Sequence, residues 1–134
     1  MKSFIIDGQE FSTLEEFAEH FSSQVLEGFH RWRGSLDAFN DILRGGFGTP
    51  GEGFRLVWEH SDLSRNRLGY AETARQLEFR LQHCHPSNRG AVATELQDAK
   101  EGKGPTVFDW LVEIIQIHGS GGAESEDGVV LELR

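Results

Sequence analysis

The stretch FRLVWEH, residues 54–60, decides the fold. Phe54, Leu56 and Trp58 alternate with Arg55 and Glu59, the period of a β-strand with one face against a core. Immediately before it runs GGFGTPGEG, residues 45–53, too rich in Gly and Pro to be anything but a connector; it also lacks the Lys-Ser/Thr that a phosphate-cradling loop needs. Upstream of that connector, SLDAFNDILRGG (residues 35–46) places Leu36, Phe39, Ile42 and Leu43 on one helical face, with Ser35 as N-cap and Gly45-Gly46 as the stop. Earlier still come a loop, FHRWRG (29–34), and a helix with Leu14, Phe17, Ala18, Phe21 and Val25 at helical spacing. Thr13 and Glu16 form a capping box at its start, and Gly28 ends it. The chain opens with SFIIDG (3–8), a short buried strand closed by an Asp7-Gly8 turn.

Strand, helices and strand in that order require a crossover connection, and a crossover makes neighbouring strands parallel. The same logic extends downstream. Two amphipathic helices are expected in the middle segment, one over Tyr70 to His83 and one carrying Val92, Leu96 and Ala99, with Pro86-Ser87-Asn88 between them. TVFDWLVEIIQIHG (106–119) follows as a helix capped by Thr106 and Asp109, apolar on nearly every side and therefore buried between layers. Its one polar stripe is Asp109, Glu113 and Gln116. A polar loop, GSGGAESEDG, leads into an alternating strand, VVLELR. The expected architecture is one α/β domain over residues 1–134: a small, three-stranded, mostly parallel sheet with packed helices and a two-helix segment at about 61–104.

Composition bounds what this domain does. Its 134 residues carry 22 acidic and 13 basic side chains, a net charge of −9. The acid excess lies in residues 1–60 and 105–134, at −5 each, while residues 61–104 sum to about +1. Such a chain repels nucleic-acid phosphates and attracts basic partners. The arginines of the middle segment are interleaved with acids and have few aromatics beside them, so direct nucleic-acid binding is not expected. A lone cysteine, Cys84, makes no internal disulfide. The run Met1 to Asp7 is not a signal peptide, and no stretch approaches the ~20 apolar residues that span a bilayer. A cytoplasmic chain away from membranes is the expectation.

Candidate chemistry narrows to one helix. Asp37 and Asp41 fall opposite the apolar face of 36–44, two like charges one turn apart, with only Arg44 placed to relieve them. Both stay ionised in water, which does not suit general acid catalysis, and two carboxylates without an EF-hand loop make a poor calcium site. What remains is a binding epitope or a solvated helix face. His83-Cys84-His85 lacks a second cysteine and points its side chains apart, so neither a metal site nor a thiol nucleophile is expected. Catalytic residues, metal and cofactor are all expected to be absent.

Leu36-Asp37-Ala38-Phe39-Asn40-Asp41-Ile42-Leu43 resembles the second helix of the barstar family, bacterial inhibitors of barnase-type ribonucleases. The resemblance extends to FIIDG and its capped helix, to FRLVWE, and to VFDWLVEIIQIHG and GVVLELR, about two-thirds of the chain. It implies a cytoplasmic immunity protein without enzymatic activity, in which Asp37 and Asp41 mimic substrate phosphates in the active site of a ribonuclease or a related basic toxin. It further implies Trp32 as an aromatic contact, Asn40 where the family has tryptophan, and Glu113 as the approximate match of an acid on the family's last helix. Asp109 and Glu113 repeat the i, i+4 spacing of the first acidic pair and are expected as secondary contacts, with a solvated stripe as the alternative, and Arg44, beside Asp41, is expected to take part in partner binding. Arg31 and Arg33 stand where the family carries tyrosines and an acid, and would meet a basic enzyme with like charge. The middle segment 61–104 has no family counterpart in this reading. The competing reading is an interaction or regulatory module of the same fold that does not inhibit a ribonuclease.

Overall fold

The computed structural model describes residues 1–27 and 30–134. Gly28, expected to end the first helix, and Phe29, at the head of the expected loop, lie outside the described residues. Three strands, β1 (Lys2–Asp7), β2 (Phe54–Glu59) and β3 (Val129–Leu133), form one sheet in the order β1-β2-β3 with both pairings parallel. The helices are α1 (Leu14–Gln24), α2 (Leu36–Arg44), α3 (Ser61–Arg67), α4 (Tyr70–His83), α5 (Arg89–Lys100) and α6 (Val107–Ile117). The α/β reading holds, and the sheet is wholly parallel. Segment 61–104 contains a third helix, α3, besides the two expected. Its sequence, SDLSRNR, has one apolar residue and so no periodicity to read.

Register explains the layering. Phe4, Leu56 and Leu131 form one row across the sheet, and Phe54 pairs with Val129 on the same face. That face meets the helices: Phe54, Leu56 and Trp58 are fully buried. The opposite face carries Arg55, Val130 and Glu132, and leaves Ile5 of the edge strand 53% exposed. β1 is therefore buried on one side only, less than its apolar run suggested. Around Phe17 gather Phe11, Trp32, Phe39 and Trp58, with ring centroids 5.1–6.1 Å away. Trp58 keeps its indole N–H satisfied by donating to Ser64 Oγ at 2.9 Å, so α3 is tied to the central strand.

The 61–104 segment is built into the core elements rather than hung upon them. Glu72, in the first turn of α4, accepts from the Leu14 N–H at 2.8 Å, and Thr73 Oγ1 accepts from the Val107 N–H at 2.8 Å. One turn of α4 thus satisfies orphan donors at the N-termini of both α1 and α6. Arg75 braces Glu72 from 2.6 Å and reaches Glu15 at 2.6 Å; these hydrogen bonds, that of Glu72 foremost, raise the guanidinium pKa. A smaller cluster of Leu77, Val92, Leu96 and Ala99 joins α4 to α5, with Trp110 of α6 against it. Helix α6 lies between that cluster and the sheet, with Asp109, Glu113 and Gln116 as its exposed stripe. Among the described residues no helix is long and apolar enough to cross a membrane.

Candidate partner-binding site

Helix α2 presents the acidic pair because its other side is spoken for. Phe39, Ile42 and Leu43 are at most 2% exposed, which fixes the rotation of the helix and leaves Asp37 and Asp41 in solvent. Ser35 Oγ accepts from the Ala38 N–H at 3.4 Å, and Gly45, at φ +108°, ends the helix in a conformation that favours glycine. Arg44 reaches back to Asp41 Oδ1 at 2.9 Å and across to Glu124 at 2.7 Å. The hydrogen bond that Arg44 donates to Glu124 is the main cause of its raised pKa, with the charges of Asp41 and Asp127 adding to it. Asp37 has no ion pair among the described residues.

Behind α2 sits a buried histidine that sequence reading did not single out. His118, just past α6, is 0% exposed. Its Nδ1 lies 2.6 Å from Asp127 Oδ2 and its Nε2 lies 2.6 Å from Asn40 Oδ1. Asn40 stands between the two aspartates, so the imidazole ties the loop before β3 to the acidic helix. His118, Glu124 and Asp127 hold ligand-type atoms within 4.8 Å of one another, the arrangement of a candidate metal site. In this structure those atoms already satisfy each other: His118 and Asp127 sit at hydrogen-bond distance, and Glu124 is held by Arg44. No spacing rule links residues 40, 118 and 127, which is why the sequence conceals the node.

With this geometry in view, a model of the family described as Barstar (barnase inhibitor) matches residues 1–109. The chain belongs to the barstar family. No curated protein and no solved structure matches it. The barstar match takes in β1, α1, the whole of α2, β2 and the helices α3 to α5, and ends in the first turn of α6. The family's description is that of an inhibitor rather than an enzyme.

In this barstar-family chain the remaining expected contacts separate clearly. Trp32 is corrected: at 2% exposure it offers nothing to a partner. Its ring stacks on Phe39 at 4.5 Å and its Nε1–H donates to Ser35 O at 2.7 Å, so it is a core residue that anchors the start of α2. Asn40 is half-buried, its amide turned inward to His118. Asp109 is exposed, but its carboxylate accepts from the Thr106 N–H at 2.9 Å and from Thr106 Oγ1 at 3.1 Å in the capping box of α6. Glu113 is exposed and shares a depression with Leu36 and Trp110, on the side of α6 that meets α2. Among the described residues, the side-chain hydrogen bonds of His83, Cys84 and His85 are local, to Phe79 O, Leu81 O and Ser87, and Cys84 packs against the cluster that joins α4 to α5.

Proposed function

We propose that this barstar-family chain binds a ribonuclease of the barnase type, or a related basic toxin, and occludes its active site with α2. The observation that carries this reading is the rotation of α2. Its apolar side is locked into the core, and Asp37 and Asp41 stand in solvent one turn apart, as two anionic groups that a phosphate-binding site accepts. Asp37 and Asp41 act as the phosphate mimics, and Glu113 is a neighbouring acid on the same side. Arg44 and Asn40 position Asp41 and the helix. The mechanism is steric and electrostatic occlusion, so the chain needs neither cofactor nor catalytic residue. The test is inhibition of a barnase-type ribonuclease by the purified protein beside its Asp37→Ala and Asp41→Ala variants. Inhibition lost in either variant is the expected result; no inhibition at micromolar protein counts against it.

A second reading has its own observation. Arg31 and Arg33 are exposed just ahead of α2, and Asp41 is already paired with Arg44. These features suit a barstar-fold interaction or regulatory module whose partner is not a ribonuclease. Intact partner binding without inhibition in the same assay separates the two.

A further inference from the structure

A groove runs beside the N-terminal end of α2, and its two walls come from distant parts of the chain. One wall is the stretch 33–37; the other is α4, contributing Gln76, Phe79 and Arg80, with Leu14 as floor. The groove encloses about 380 Å³ at the Arg33 and Phe79 end and about 490 Å³ at the Asp37 and Arg80 end. Arg80 thus lines the same hollow as Asp37, although 43 positions separate them in sequence. A third hollow of about 250 Å³ sets Arg80 beside Glu113 as well.

The state of these arginines is informative. Arg75, on the same wall, is committed to Glu15 and Glu72. Arg80 and Arg33 are exposed and form no ion pair among the described residues. Arg80 lies over the Trp110 ring, 5.3 Å from its centroid, a stacking that holds a guanidinium in place while leaving its edge N–H groups free for a planar carboxylate. Phe79, 64% exposed, lies in the same wall. Two guanidinium groups without an ion pair among the described residues thus line the groove beside Asp37, Arg80 in the same hollow and Arg33 in the adjoining one, in a chain whose net charge is −9.

We propose that the binding face is two-signed: Asp37 and Asp41 take cationic groups of the partner, while Arg80 and Arg33 take a carboxylate that the same partner carries beside them. This rests on α2 being the docking face. It makes α4 a specificity element, since a uniformly basic surface meets like charge at Arg33 and Arg80 and a bipolar one does not.

Two polyions of equal length test it. Hexaglutamate and hexalysine are titrated separately into the isotopically labelled full-length protein at low ionic strength, with arginine Nε–Hε and backbone resonances followed by NMR. Hexaglutamate is expected to shift Arg80 and Arg33 and leave Arg55 and Arg134 in place, despite the repulsion of an acidic protein. The Arg33→Gln/Arg80→Gln double variant should weaken hexaglutamate about fivefold, the worth of roughly 1 kcal/mol in exposed charge pairing. The Arg55→Gln/Lys103→Gln double variant serves as the control for net charge, because it removes the same two charges away from the groove, one on the central strand β2 and one in the loop after α5. The proposal is overturned if Arg80 and Arg33 do not shift, if all exposed arginines shift alike, or if the double variant binds as the wild type does. Failure of the α2 reading is seen separately: hexalysine leaves the α2 amides unmoved and the ribonuclease stays active, whatever hexaglutamate does.

Discussion

Trp32 and His118 show how a single side chain's role is set by where the chain folds around it. Trp32→Ala removes the ring stacked on Phe39 and the hydrogen bond to Ser35 O, and is expected to cost about 3–5 kcal/mol in urea denaturation. Asp37→Asn, at an exposed and unpaired position, should leave stability within about 0.5 kcal/mol while weakening partner binding. That contrast separates a core residue from an epitope residue in one pair of measurements. His118→Leu strands the Asp127 carboxylate and the Asn40 amide, and a loss of about 1–3 kcal/mol is expected. His20 gives a pH signature of its own. Burial holds its pKa below the ordinary value, and its Nε2 accepts from the Asp7 N–H at 3.0 Å, which requires the neutral ring. The unfolded chain therefore binds the proton more readily, so this contribution is complete above about pH 6.5 and is lost as pH falls toward the folded-state pKa. Melting curves between pH 7.5 and pH 5 should drop less steeply for His20→Gln than for the wild type.

At the scale of elements, α4 is the piece whose role the sequence did not show. Tyr70 to His83 is legible as an amphipathic helix from Ala74, Leu77 and Leu81, and Leu77 is indeed buried. That its first turn caps two other helices is not legible, because Glu72 and Thr73 find Leu14 and Val107 across 58 and 34 residues. Periodicity reports which face is buried and says nothing of which partner a buried polar group meets. The same limit applies to α2: its apolar face and acidic pair follow from spacing alone, whereas Trp32 ahead of it has no period to place it inside. Glu72→Ala should leave the Leu14 N–H at the start of α1 without its acceptor and release Arg75, lowering stability by about 1–2 kcal/mol in thermal or urea unfolding. A local loss confined to α4 would leave the amide exchange of α1's first turn unchanged; the expected result is faster exchange there.

Across the whole molecule the charge distribution governs encounter more than fold. Residues 1–60 and 105–134 carry −5 each and contribute α2, α6 and the loop holding Glu124 and Asp127, so the net negative charge resides in the segments that include the acidic helix. Association with a basic ribonuclease should slow steeply as ionic strength rises, since the Debye length falls from about 30 Å at 0.01 M to about 10 Å at 0.1 M. The family's own prototype, barstar with barnase, is the reference case for such steering. Stopped-flow association at three or more salt concentrations is the measurement, and a flat dependence would count against charge mimicry. The two aspartates should not share equally in that dependence. Asp37 forms no ion pair among the described residues, so the cations that screen it come from solution and return there when a partner arrives. Asp41 already has a counter-ion tethered to the same chain, the guanidinium of Arg44, and displacing it liberates nothing into bulk. Neutralising Asp37 should therefore flatten the salt response more than neutralising Asp41, and Arg44→Gln should give Asp41 the share it lacks.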